Sequence, residues 1–160
     1  MFNLKSKIIL ITGGAGLLGS RMVQTIQKHG GIPIVLDNDQ KKIDKLKKNL
    51  KKINHSLAFY KVDITKKNQV KSTINKIYKN FKKIDCLINN AGFNPKMSFK
   101  SNKFENFSLE QWNKEIQISL TGSLIVTQEV VKKMIDQKNG NIINISSDLG
   151  IIAPNQYLYE

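Results

Sequence analysis

Cysteine, arginine and long apolar runs are all but missing from this chain of 160 residues, and each scarcity removes a class of protein. The single cysteine, Cys86, excludes an intrachain disulfide, and its place within the apolar run 84–88 reads as a small buried hydrophobe, not a reactive thiol. No apolar stretch approaches the roughly 20 residues of a membrane span, and Met1-Phe2-Asn3-Leu4-Lys5 runs directly into a strand with no secretory leader. A cytoplasmic protein with no membrane partner is therefore expected. The two histidines, His29 and His55, have no ligand-like spacing, so no metal site is expected. There is no internal repeat and no low-complexity tail.

Of the 26 basic residues all but Arg21 are lysine, and the formal net charge is +14. Phosphate-reading surfaces favour arginine, and here the lysines have another use. Lys41, Lys42, Lys45, Lys47, Lys48, Lys51 and Lys52 share a helix with Ile43, Leu46, Leu50 and Ile53, so they form the wet face of an amphipathic helix and no nucleic-acid partner is expected. A charged fraction of 24% and a hydrophobic fraction of 40% are ordinary for a soluble globular protein. Residues 1–160 are long enough for one domain burying about 70% of its unfolded surface and too short for two.

What is abundant is order. Ile8 to Ile11 is a four-residue apolar run bounded by Lys7 and a glycine cluster, the pattern of a strand buried on both faces. Leu18, Met22, Val23 and Ile26 recur at helical spacing just after it, so Gly13, Gly14, Gly16 and Gly19 sit between a strand and a helix N-terminus. That turn is an anion site, because first-turn amides lack intrahelical partners and the helix dipole adds positive charge. Gly13 is assigned the tight turn, Gly16 the close approach of a pyrophosphate, and Gly19 close packing of the helix. Gly30-Gly31 stops the helix, and Ile32-Pro33-Ile34-Val35-Leu36 forms a second strand ending in Asp37. Asp37 stands 18 residues past Gly19, where a carboxylate accepts from an adenosine ribose. Dinucleotide binding is the reading.

Alternation then continues. The lysine-rich helix is expected to end near Asn54, and Leu57 to Val62 reads as a third strand closing in Asp63-Ile64-Thr65, with Thr65 as the N-cap of a helix marked by Val70, Ile74, Ile77 and Phe81. Ile84 to Ile88 reads as a fourth strand, followed by Asn89-Asn90-Ala91-Gly92 and a surface loop from Phe93 to Phe107. Ser108 and Gln111 suggest a capping box, opening one long helix whose apolar face carries Trp112, Ile116, Leu120 and Leu124 and, further on, Val130, Val131 and Met134. Ile142 to Ile145 is a fifth strand, leading to Ser146-Ser147. Strand and helix in strict alternation, with right-handed crossovers, give a parallel sheet covered on both sides.

With these pieces in place the chain resembles the short-chain dehydrogenase/reductase family. The matching residues are Thr12-Gly13-Gly14-Ala15-Gly16-Leu17-Leu18-Gly19, Asp63-Ile64-Thr65, Asn89-Asn90-Ala91-Gly92, the helix from Trp112 to Gly122, and Ile143-Asn144-Ile145-Ser146-Ser147. The resemblance implies a Rossmann fold, a doubly wound parallel sheet of five strands in the order 3-2-1-4-5, an NAD(P) cofactor held by Thr12, Gly13, Gly16, Leu17, Leu18 and Gly19, and hydride exchange between a secondary alcohol and a carbonyl substrate, a sugar derivative among the candidates. It implies that Asp63 and Ile64 lie against the adenine, and that Asn90, Ala91 and Gly92 flank the adenosine ribose and nicotinamide side. Ser147 is implied as the serine that holds the substrate oxygen, with Ser146 packed or capping the turn, and the intact protein as a homo-oligomer. Asp37 favours NAD, since a carboxylate repels the 2′-phosphate of NADP; Lys41 and Lys42 soften that preference.

Three departures accompany the resemblance. Ser119 stands where the family's long helix carries an Asn that anchors a proton-relay water. The spacing of Gly13, Gly16 and Gly19 is nearer the family's sugar-nucleotide epimerase branch, so epimerisation or dehydration is an alternative reaction. The family's Tyr-x-x-x-Lys is absent: Tyr157 and Tyr159 follow Ser147 by 10 and 12 residues, and neither has a lysine four positions on. A phenol needs a neighbouring ammonium to lower its pKa from about 10. Tyr159 is the candidate acid/base. The expectation is the N-terminal part of such an enzyme, binding cofactor with little or no turnover; a noncatalytic dinucleotide-binding module is the rival.

Overall fold

The computed structural model describes residues 3–50, 57–93 and 104–147. His55, Tyr157 and Tyr159 lie outside them. Five parallel strands, β1 (Ile8–Thr12), β2 (Ile32–Asp37), β3 (Ala58–Lys61), β4 (Cys86–Asn89) and β5 (Asn141–Asn144), form one sheet in the order β3-β2-β1-β4-β5. This is the doubly wound arrangement expected. The register is unbroken, with Ile8 beside Ile32, Ile9 beside Cys86, Ile34 beside Ala58 and Ile88 beside Ile143.

Because strand side chains alternate between faces, the apolar run of β1 feeds two cores. Ile9 and Ile11 pack under α1 (Leu17–Lys28) and α2 (Gln40–Leu50) with Val23, Ile26, Leu46 and Leu50. Ile8 and Leu10 pack on the other face with Val70, Ile74 and Ile77 of α3 (Lys67–Phe81) and with Val126, Val130 and Met134 of α5 (Ser123–Asp136). The strands are joined at their starting end by Asp85. Its carboxylate accepts from the Ile8 amide at 2.8 Å and pairs with Lys83 at 3.0 Å and Lys7 at 3.3 Å. Burial works to raise that carboxyl, but the Ile8 amide, Lys83 and Lys7 together hold it below the usual carboxylate range.

Several local expectations are corrected. Leu18 is 59% exposed, because the first turn of α1 overhangs the end of the sheet and the helix meets the core only further along. Thr65 does not cap α3; its hydroxyl donates to Asp63 Oδ1 at 2.7 Å, and the helix begins after Lys66 with no side-chain cap. The long helix is not continuous: α4 (Leu109–Ile116) passes into a π-helical segment (Gln117–Gly122) before α5. Ser108 caps α4, accepting from the Gln111 amide at 3.0 Å, whereas the Gln111 side chain turns forward to Glu115.

The packed face of that helical stretch is also different. Trp112, Ile116, Leu120 and Leu124 are exposed, and the residues facing the sheet are Ile118, Gly122, Val126, Val130 and Met134. Two parallel apolar stripes run along it, and spacing alone does not say which is inside. A short 3-10 turn (Phe104–Asn106) interrupts the stretch expected to be loop. Among the described residues, no helix is long and apolar enough to cross a membrane.

Candidate active site

β1 and β4 end side by side, and Thr12 latches them. Its buried hydroxyl accepts from the amides of Asn90 at 3.0 Å and Ala91 at 3.1 Å and donates to the Ile88 carbonyl at 3.4 Å. Thr12 therefore serves the strand ends from behind, through the backbone it holds. Asn90 completes the tie, its side-chain amide donating to the carbonyls of Thr12 at 3.0 Å and Gly13 at 3.3 Å.

The glycine turn is built on that clamp. Gly13 has φ 61°, and a Cβ there would fall 2.9 Å from Ala91 Cα, so no other residue fits. A Cβ on Gly19 would overlap the Gly13 carbonyl oxygen and come within 2.7 Å of Gly14 Cα, so the helix is packed against the turn itself. Gly16 and Gly92 differ: the one is bordered only by the Gly13 oxygen at 3.1 Å, the other by nothing nearer than Ser119 Oγ at 4.0 Å. Gly92 leaves room beside the backbone, whereas Gly16 is tight towards the Gly13 oxygen and lines the groove on its other side. Gly16 is the N-cap of α1 and supplies no capping side chain, and the first turn holds no acid, so the amides of Leu17, Leu18 and Gly19 are without intrahelical acceptors. Leu17 and Leu18 are exposed over that turn.

Asp37 ends β2 almost fully buried. Oδ2 accepts from the Ala15 amide and Oδ1 from the Asp39 amide, both at 3.0 Å, so the carboxylate is fixed against the glycine turn by backbone donors. Ala15 also lines a groove of about 420 Å³ between α1 and α2, with Gly16, Leu17, Ser20, Lys42 and Lys45. Lys42 lies 3.7 Å from Asp39 Oδ2, and the Asp39 carboxyl sits below its ordinary range chiefly because the Lys42 amide donates to it. Asp63 stands at the end of β3 with Oδ1 committed to the amide and hydroxyl of Thr65. Ile64 is buried under Gly122, whose Cβ position lies 2.7 Å from the Ile64 side chain, so this isoleucine supports the π-helical segment from below.

Ser146 and Ser147 follow β5 and are both exposed, so Ser146 is not packed inward. The described residues thus bring Gly13 to Gly19, Asp37, Asp63 and Asn90 to Gly92 to one edge of the sheet, with Ser119 reaching over Gly92 and Ser147 just past the end of the neighbouring strand. Cys86 is half-buried in β4; burial first, then the Asp85 charge, pushes its thiol up, which keeps it protonated near neutral pH. Asn89 is the residue whose reach the motif reading missed: its side-chain amide spans to Thr127 and Asn144. Strand alternation is the signal that could have found it, since neighbours on β4 must point to opposite faces.

The model of the short chain dehydrogenase family matches residues 7–159. The chain belongs to that family. It is 34% identical, over 99% of its length, to an uncharacterised oxidoreductase of Staphylococcus saprophyticus, and 32% identical, over 98%, to the 3-oxoacyl-acyl-carrier-protein reductase of Thermotoga maritima. It spans 62% of each of those two proteins. Its fold superposes on that of NAD+-bound xylitol dehydrogenase with a TM-score of 0.88 at 24% identity, covering 99% of this chain and 59% of that one. This short-chain dehydrogenase chain therefore carries the oxidoreductase family's Rossmann sheet.

Proposed function

We propose that residues 1–160 form one dinucleotide-binding domain of an NAD-dependent oxidoreductase that moves hydride between a secondary alcohol and the matching carbonyl. The uncapped N-terminus of α1 is the observation that carries this reading. Its orphan amides, the absence of acid in its first turn, and the space beside Gly16 suit a pyrophosphate, which brings the missing acceptors and complements the helix dipole. Asp37 suits the adenosine ribose, because a buried carboxylate anchored by two amides still has lone pairs for hydroxyl donors and repels a 2′-phosphate. NAD is thus favoured, with Lys42 beside the groove moderating the bias against NADP.

When bound, the nicotinamide ring supplies the hydride chemistry. The chain's own part is to orient and to neutralise. Ser147 is assigned the hydrogen bond to the substrate oxygen, where charge develops as the carbonyl is reduced. The proton that this oxygen gains or loses is assigned to Tyr159, with Ser119 facing Gly92 as a relay hydroxyl.

Calorimetry with NAD(H) and NADP(H) tests the binding. NAD(H) should bind more tightly, and Asp37→Ala should weaken it about tenfold while narrowing the gap to NADP(H), the effect of losing a charge-assisted hydrogen bond. No heat with any of the four nucleotides sinks the proposal. Turnover assays with simple ketones, polyols, 3-oxoacyl thioesters and nucleotide sugars then separate dehydrogenation from epimerisation, and tight NADH binding with no turnover of any of them favours the noncatalytic module.

A further inference from the structure

We infer that the lysines around the ends of β2 and β3 form an electrostatic funnel that draws the anionic dinucleotide towards the glycine turn. The inference rests on the reading of that turn as the pyrophosphate site and adds how the ligand reaches it. Positive charge is segregated in this chain: residues 37–50 and 57–83 hold thirteen lysines against four aspartates and no glutamate, whereas residues 104–147 hold four lysines against five acids. A lysine preference acting on the whole chain would fill both regions alike. Because the strands are parallel, β2 and β3 end on the same edge as β1 and its glycine turn, with Asp37 and Lys61 paired in register. The helices that return from this edge start there, with Lys41 and Lys42 in the first turn of α2 and Lys66 and Lys67 at the N-cap and first position of α3.

Local energetics run against lysine at those places. A helix N-terminus carries partial positive charge, so a cation in the first turn costs helix stability and an acid would add to it. Yet neither first turn holds an acid, and α3 has no side-chain cap; ahead of α2, Asp39 pairs with Lys42 and leaves Lys41 unmatched. Lys41, Lys45, Lys61, Lys66 and Lys67 are exposed, and none forms an ion pair among the described residues. Charges set against a dipole and left unpaired contribute nothing to the fold; what they supply is a field. Asp37 and Asp63 suit an adenosine but repel the diphosphate attached to it, and the lysines around them offset that repulsion during approach. Among the described residues from 37 to 83 no large apolar side chain is exposed, so this edge offers no anchor to a protein partner and fits a small mobile anion.

The test is temperature-jump relaxation of the 160-residue chain with NADH, followed by NADH fluorescence, which yields association and dissociation rate constants from their dependence on concentration. In about 0.1 M NaCl, where a charge is felt over about 10 Å, Lys66→Gln/Lys67→Gln should slow association about threefold with dissociation within about 1.5-fold. The same variant should melt about 1–2 °C higher, since the conflict with the dipole is relieved. The matched pair Lys76→Gln/Lys79→Gln removes equal charge about 14–18 Å further along α3 and should change association by less than about 1.5-fold. At about 1 M NaCl, where the range falls to about 3 Å, the three proteins should associate alike and more slowly than wild type does at low salt. Equal slowing by both pairs overturns the inference, because net charge would then act without regard to placement. Slowing expressed in dissociation overturns it too, as direct contact, and so does a wild-type association rate that salt leaves unchanged. Absence of any NADH signal in wild type overturns the pyrophosphate reading, and the funnel with it.

Discussion

The middle of the sheet and its β5 edge are built to different standards of closure. On the side of the glycine turn, all five residues of β1 are buried, β2 is buried from Pro33 to Asp37, and α1 and α2 cover their face. On the other side β5 is exposed at three of its four positions, α4 has no buried residue, and Leu109, Trp112, Leu120 and Leu124 are each more than half exposed. The lesson concerns how each half makes a site. The glycine-turn side is shaped by close backbone contacts within a closed core. The β5 side depends on hydrogen bonds from β4 and carries apolar surface that it does not itself cover.

The contrast can be broken most severely at Gly19. Gly19→Val puts a branched side chain onto the Gly13 carbonyl and Gly14 Cα, and should cost about 3 kcal/mol or more of stability and abolish NADH binding; urea unfolding and calorimetry check both. Asp85→Asn comes next, since it weakens the tie between β1 and β4. With the flanking lysines half exposed, most of its expected cost of about 1–2 kcal/mol comes from the Ile8 amide bond. A carboxyl held below its unfolded value contributes its stability above about pH 4 and loses it as pH falls through the lower folded value, so the deficit of Asp85→Asn should shrink in acid.

A gain should follow at Gln27, buried in α1 with neither side-chain polar atom hydrogen-bonded. Gln27→Met should raise stability by about 1 kcal/mol, read as a higher melting temperature with NADH affinity unchanged. The smallest energetic effect belongs to the open side. Leu120→Ser should alter unfolding free energy by no more than about 0.5 kcal/mol yet reduce self-association in light scattering, because it removes apolar surface without touching the core. A large loss of stability there would mean that the exposed stripe is packed after all and that the two halves are alike.

Much of the site was legible as local pattern. A glycine turn between an apolar run and a helical period, and an acid at the next strand end, are short-range features: Gly13 needs its positive φ, and Asp37 reaches Ala15 across adjacent strands. Other features depend on which partner a side chain meets. Thr12 belonged to the glycine motif by sequence, but its hydroxyl turns back to Asn90 and Ala91 because β4 happens to lie beside β1. By pattern Asn89 falls just after the fourth strand, whereas it is the last residue of β4 and spans to the next strand and helix.

By itself the sequence determined the alternation of strands and helices and the place of the glycine turn, because hydrophobic period and glycine stereochemistry act over a few residues, and its motifs in order carried the resemblance that implied the order of the sheet. Only the tertiary structure decided which of two apolar stripes on the helix after Ser108 faces the sheet, that the helix passes through a π-helical segment where Gly122 meets Ile64, and that one asparagine amide joins β4, β5 and α5. Those outcomes turn on contacts between residues dozens of positions apart, for which the spacing along the chain carries no signal.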